Sequence, residues 1–213
     1  MHAHTGFHVS GHDGAQNCTA AQQMDVFLGP FCEDSRAMWP TLKALTVKRG
    51  SQTYIRMHFF PLPYNLGSWL PAQACTAAAH LGSQPASRTF VDCATLLYSG
   101  SNQKRIKTLA MVNGTTNDVI AALVDLLATP LHVDKNVLTA NLRQDLESGA
   151  PSYTQTKLSL KFGQSNSVFA TPSVLLNGVQ IFGYDTTQGG LHSEGEFADL
   201  SVEDWVSLLD LSP

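Results

Sequence analysis

The sequence predicts an α/β protein whose single sheet is interrupted by an all-helical insertion. Three observations predict it. A strand–helix–strand unit spans Met24 to Leu62. Ala- and Leu-rich helical stretches fill the middle, from about Ser68 to Phe162. Two short strands and a helix, from Ser173 to Leu211, close the chain. Neither flank alone holds enough strands to cover a core, so the flanks are read as one domain divided by the insertion. The expected boundaries are a flexible N-terminal segment at 1–15, a divided α/β domain at 16–65 and 166–213, and a helical domain at 66–165.

The first strand is Met24 to Leu28, with Val26 and Leu28 on one face, Asp25 and Phe27 on the other, and Gly29-Pro30 as its stop. A helix starts near Cys32. Glu33 and Asp34 place acid in its first turn, where the macrodipole favours it, and Gly50 closes it. Pro40 lies inside this helix, and a kink is expected there. Thr53 to Leu62 reads as the second strand, ended by Pro61 and Pro63, and a right-handed parallel crossover is expected between the two. Helices are expected at Pro71–Leu81, Ser87–Leu97, Asn117–Leu127, Asp134–Glu147 and Tyr153–Phe162, separated by Gly, Pro, Ser and Asn. Ser173–Leu176 and Val179–Phe182 flank Asn177-Gly178, a strong hairpin signal. Val202 to Leu211 is an amphipathic helix carrying Trp205, Leu208 and Leu209. This order is what a thioredoxin fold with an inserted helical domain produces.

Composition narrows the function classes. The chain has 213 residues, 43% hydrophobic, so it can bury a sizeable core, and only 14% charged, against roughly 25% in typical soluble domains. A net charge of −4 gives no electrostatic case for nucleic acid or an anionic membrane. No apolar run approaches the ~18 residues of a membrane span. Met1 to Gly14 is rich in His and Gly and does not read as a secretory signal. His2, His4, His8 and His12 read as a flexible tail or tag-like leader rather than a metal site, because no Cys or carboxylate cluster stands at ligand spacing. The cysteines at 18, 32, 75 and 93 form no Cys-x-x-Cys pair, which removes a zinc knuckle and an ordinary dithiol motif. No metal and no tightly bound cofactor is expected.

The chemistry concentrates at Phe31-Cys32-Glu33-Asp34-Ser35. A cysteine in the first turn of a helix meets unpaired backbone N–H groups and the positive dipole end, which favour thiolate, the reactive form. Ser35 lies three residues on, where its hydroxyl could hydrogen-bond the sulfur, while Glu33 and Asp34 oppose the dipole's effect. The alternative is a structural cysteine at a helix N-cap. Thr171-Pro172, just before the hairpin, is a candidate cis bond that would leave the Thr171 backbone free to meet a peptide or thiol at Cys32.

The run from Asp25 to Ser35, the helix proline at position 40, and Phe169-Ala-Thr-Pro172-Ser-Val-Leu-Leu-Asn-Gly178 resemble the DsbA-like thioredoxin superfamily. More closely, Cys-x-Asp-Ser, Phe59-Phe60-Pro61-Leu62-Pro63-Tyr64, and Lys161-Phe162-Gly163 before Val168-Phe169-x-Thr-Pro resemble a eukaryotic group of thioredoxin-like proteins. The resemblance implies that Cys32 matches the attacking cysteine and Pro172 the cis-proline. It also implies that Ser35 stands where dithiol enzymes keep their resolving cysteine. Dithiol members tend to keep a carboxylate six residues before the nucleophile; here that residue is Val26, with Asp25 one step off on the opposite face. Phe31, Thr171 and Pro172 are the expected substrate-binding residues, with Cys32 and Ser35 as the catalytic pair.

Cys75 and Cys93 fall on two helices joined by a turn, where either a disulfide or two buried apolar cysteines is consistent with the sequence. Asn17 and Asn113 fit the N-glycosylation pattern. Together these lean toward an oxidising compartment, in the secretory pathway or outside the cell. His58 is expected to pack or meet solvent rather than react, and Trp39 and Trp69 to be core or domain-junction aromatics. Three functions are carried forward. The first is a monothiol thiol–disulfide protein resolved by an external thiol such as glutathione. The second is a glutathione-transferase-like enzyme, and the third a non-catalytic module binding peptide beside Pro172. A protein bearing a thiol or disulfide, or glutathione, is the expected partner.

Overall fold

The computed structural model describes residues 6–8, 22–49, 52–143, 150–181, 184–185, 190–191 and 199–210. The chain opens with β1 (Phe7–His8), β2 (Gln22–Leu28), α1 (Glu33–Arg49) and β3 (Thr53–Phe59). The helices α2 (Trp69–Leu81), α3 (Ala86–Tyr98), α4 (Gly100–Thr108), α5 (Thr116–Leu127), α6 (Lys135–Arg143) and α7 (Pro151–Ser165) follow, with a π turn at Leu109–Asn113 after α4. The chain then returns to β4 (Ser173–Leu176), β5 (Val179–Ile181), a two-residue pair β6 (Tyr184–Asp185) and β7 (Gly190–Leu191), and α8 (Val202–Asp210). The sheet order is β1-β3-β2-β4-β5. β2 and β3 run parallel with Val26 opposite Met57, and β4 is antiparallel to β2 with Val174 opposite Val26. The Asn177-Gly178 turn joins β4 to β5 with both residues at positive φ, 51° and 81°, which a tight primed turn requires and glycine supplies without strain.

Strand alternation decides which residues face which layer. Met24, Val26 and Leu28 join Ile55, Met57, Val174 and Leu176 in the large core under Met38, Leu42 and Leu45 of α1 and Trp205 of α8. That core runs on without a break into the buried residues of α2, α3, α5 and α6. On the other face, Phe27 and Leu175 pack with Phe60, Leu62 and Val168 beneath Leu160 and Phe162 of α7. Helix α2 is the hub of the insertion: its Ala72, Ala74, Cys75, Ala77 and Ala78 are buried, and their small side chains let α3, α5, α6 and α7 all approach. α1 continues past an exposed Pro40 to Lys48 and Arg49, which pair with Glu203 and Asp210 of α8 at 3.0 and 2.6 Å.

The structure corrects the sequence reading in three places. Phe7 and His8, inside the segment expected to be flexible, form an edge strand on β3, with the Phe7 ring stacked on Phe90 at 4.4 Å. α4 was not expected. Its sequence Gly-Ser-Asn-Gln-Lys-Arg-Ile-Lys-Thr buries only Gln103 and Ile106, so it carries almost no apolar period to read. The second strand stops at Phe59 rather than Leu62, although Phe60 N–H still donates to Leu28 O at 2.9 Å. Residues 144–147 of the expected Asp134–Glu147 helix, Phe182, Leu211, Asn17 and Cys18 lie outside the described residues.

Candidate active site

The end of β2 delivers the chain into a turn at Gly29-Pro30-Phe31, and Cys32 begins α1. Its N–H donates to Gly29 O at 3.0 Å, and its carbonyl accepts the first helical bond, from Arg36 N–H at 3.2 Å. Cys32 is thus the residue at the helix mouth, half-buried, with free thiol. The Sγ donates to Thr171 O at 3.0 Å and receives the Ser35 N–H at 3.5 Å. The Thr171–Pro172 bond is cis. Cys32, Ser35, Thr171 and Pro172, predicted from separate parts of the chain, therefore meet at one place.

The approach is close enough to demand glycine at position 29. A Cβ there would collide with Thr171 Oγ1 and come within 2.8 Å of Cys32 Cβ. Ser35 is fully buried, and its Oγ accepts from Gly29 N–H at 3.0 Å. The hydroxyl expected to meet the sulfur instead holds the turn, and it is the Ser35 backbone that meets Cys32. Phe31 is placed differently from the expectation: its side chain is buried in the main core and presents no surface to a substrate. Its carbonyl is held by Lys107 Nζ at 3.3 Å.

The insertion supplies groups that sequence reasoning missed. Tyr98 Oη donates to Gly29 O at 3.1 Å, and Gln103 Nε2 donates to Pro30 O and Cys32 O at 3.0 and 3.1 Å. Burial drives Tyr98 well above the usual tyrosine range, the nearby Cys32 charge adds to this, and a hydrogen bond with Ser35 partly offsets it. Tyr98 is thus a fixed neutral donor. Gln103 and Lys107 sit on the polar helix α4, where no periodic pattern flagged them. Tyr64 is largely exposed; partial burial first, then the Cys32 charge, raises its phenol. Phe169, also exposed, stands two residues before Thr171.

Behind β2, on the face away from Val26, lies a buried charge network. Arg56 donates from Nε and Nη2 to the two Asp25 carboxylate oxygens at 2.6 and 2.8 Å, and His58 Nε2 lies 2.9 Å from Asp25 Oδ1. Burial acts to raise the Asp25 carboxyl, but bonds from His58 and Arg56 outweigh it and hold the group below the usual aspartate range. For His58 burial dominates, and the ring is held below the ordinary histidine value despite Asp25. The ionised carboxylate can only accept, so the neutral His58 carries its proton on Nε2, while its buried Nδ1 has no partner. His58 stacks on Phe27 at 4.7 Å. It packs, as expected, and carries more electrostatic weight than a packing residue.

Cys75 and Cys93 form a disulfide across α2 and α3, with Cα atoms 5.5 Å apart. Asn113 is exposed at the end of the π turn. Trp39 donates from Nε1 to Thr95 on α3 at 3.0 Å, bridging α1 to the insertion, and Trp69 donates to Gln73. Among the described residues no cluster of His, Cys, Asp and Glu could hold a metal, and no helix is long and apolar enough to cross a membrane.

No family model matches the chain, and no curated protein matches its sequence. Solved structures do match. A candidate protein-disulfide isomerase from Pseudomonas syringae aligns with TM-score 0.65 and 17% identity over 89% of this chain and 94% of its own. DsbA from Chlamydia trachomatis aligns at 0.59 and 12%, over 90% and 85% of the two chains. MdbA, a thiol-disulfide oxidoreductase from Corynebacterium diphtheriae, aligns at 0.55 and 14%, over 96% and 92%. This chain has the DsbA-like thioredoxin fold. Within that fold the helix-start cysteine facing a cis-proline loop is where the sequence resemblance put the attacking group, and position 35 holds serine. These neighbours are bacterial, and they do not bear on the likeness to a eukaryotic group.

Proposed function

We propose that this chain is a monothiol thiol–disulfide protein in which Cys32 is the nucleophile and an external thiol completes the cycle. The observation that carries the reading is the pairing of a half-buried Cys32, its sulfur held between Thr171 O and Ser35 N–H, with a buried Ser35 committed to Gly29. In the first step the Cys32 thiolate attacks one sulfur of a disulfide, forming a mixed disulfide and releasing the other sulfur as thiolate. A dithiol enzyme clears this adduct by intramolecular attack at high effective concentration. Ser35 offers a hydroxyl that is no comparable nucleophile at neutral pH, and Cys75 and Cys93 are bonded to each other. An incoming thiolate such as glutathione then attacks the mixed disulfide, regenerates Cys32 and leaves with the substrate sulfur. Thr171 and Pro172 form the wall against which the substrate chain lies.

The test is intact-mass analysis after exposure to glutathione disulfide. The wild type should accumulate one adduct on Cys32 and turn over only when reduced glutathione is added. Cys32→Ala should form no such adduct, and Ser35→Cys should gain dithiol oxidase activity. Saturable glutathione binding without any Cys32 adduct would favour the transferase reading, and neither adduct nor glutathione binding would leave the peptide-binding module.

A further inference from the structure

Beside the Cys32 turn, α1 and α4 enclose an open groove of about 430 Å³, lined by Glu33, Arg36, Gly100, Gln103, Lys104, Lys107 and the π-turn residues Met111 and Val112. The volume falls in the range of small-ligand sites. Net charge is −4 overall, yet three cations and one carboxylate line this groove. Among the described residues, none of Arg36, Lys104 and Lys107 has a carboxylate at ion-pair distance, so no ion pair occupies the groove's cations.

The groove is also built rather than incidental. Arg36 lies against the start of α4, where a Cβ on Gly100 would come within 3.2 Å of its Nη1, and its buried Nε has no hydrogen-bond partner. Lys107 is anchored by Phe31 O, and the buried Gln103 ties the groove floor to the carbonyls of Pro30 and Cys32. A ligand here would therefore sit against the backbone of the turn that carries Cys32. Guanidinium and ammonium groups without a carboxylate partner select carboxylates, which they hold by charge-assisted hydrogen bonds.

We propose that this groove binds the free carboxylates of a small peptide thiol or disulfide of the glutathione class, placing its sulfur at Cys32. The proposal deepens the monothiol reading and rests on it for its role in turnover, though not for binding. The attack forms a Cys32–S–S–R bond, breaks the ligand's disulfide and releases RS⁻, so electrons balance without another reactant.

Two measurements test it on the full chain. The first compares Cys32 adduct rates with glutathione disulfide, which carries carboxylates, and bis(2-hydroxyethyl) disulfide, which is neutral. The ratio of the two rates should fall about tenfold in Arg36→Glu/Lys104→Glu, and should fall in wild type as added salt screens the groove. Lys104→Glu alone, at an exposed position, should lower the ratio in the same direction and guards against misfolding of the double variant. An unchanged ratio in both variants overturns the proposal. The second is calorimetric titration with S-methylglutathione, which has no thiol to react. Wild type should bind saturably and Lys104→Glu more weakly; no binding to wild type overturns the site. Failure of every disulfide to react, with S-methylglutathione still bound, would instead sink the monothiol reading and leave the groove standing.

Discussion

His58 makes stability fall as acid is added, and its burial sets the direction of the effect. The ring is fully buried, stacked on Phe27, and faced by Asp25 and Arg56 as its only charged neighbours in the described structure. Its folded value is depressed below the ordinary histidine value, so between the two values the unfolded chain binds a proton that the folded chain refuses. Stability attributable to His58 is thus fully present above about pH 6.5 and is lost as pH falls toward the folded value, at up to about 1.4 kcal/mol per pH unit for one proton. His80, exposed near the end of α2, is shifted the same way, whereas Asp25, also depressed, acts only in the lower, carboxylate range. The perturbation is His58→Gln, which can still donate to Asp25 but does not titrate. Urea unfolding at steps between pH 7.5 and 5 should show the variant less stable at neutral pH and flatter in acid, the two curves converging as pH falls. Parallel curves would refute the reasoning, because they would mean that the buried ring takes up its proton without cost.

Two further predictions follow from local geometry. Reducing the Cys75–Cys93 bond frees a loop of 18 residues in sequence separation and should cost about 3 kcal/mol in the chain-entropy account, read as a shift in the denaturation midpoint with and without reductant. Gly29→Ala should destabilise by about 1–3 kcal/mol, as overpacking does, and should slow Cys32 adduct formation, because the new methyl group must separate Thr171 from Cys32; an adduct rate equal to wild type would show that this close approach is not needed.

Much of the fold was legible because strong local signals agreed with one another. The Asn177-Gly178 turn and Ser173–Leu176 came out as read, and so did the helix mouth at Cys32 and the cis Thr171–Pro172 bond. Cys75 and Cys93 were readable as neighbours because each lies a similar distance from the inter-helix turn, yet sequence alone left the bond open. What escaped was polar and non-local. α4 buries two side chains and so shows no apolar stripe, yet it supplies Gln103 and Lys107 to the Cys32 turn. Ser35 was recognised by position, but its bond to Gly29 N–H depends on how the turn folds back, which spacing does not encode. The Asp25–Arg56–His58 network brings two parallel strands into register, and nothing in either strand alone announces the partner. Phe31 reads as a substrate-binding residue in the sequence, whereas the turn directs it into the core.

The central claim is that Cys32 is an available nucleophile, and alkylation of the folded protein tests it most directly. Iodoacetamide modification followed by intact-mass and peptide analysis, at steps from pH 6 to 8, should label Cys32 ahead of every other cysteine, at a rate rising with pH and lost in Cys32→Ala. A Cys32 that reacts as slowly as a buried cysteine across that whole range would contradict the account.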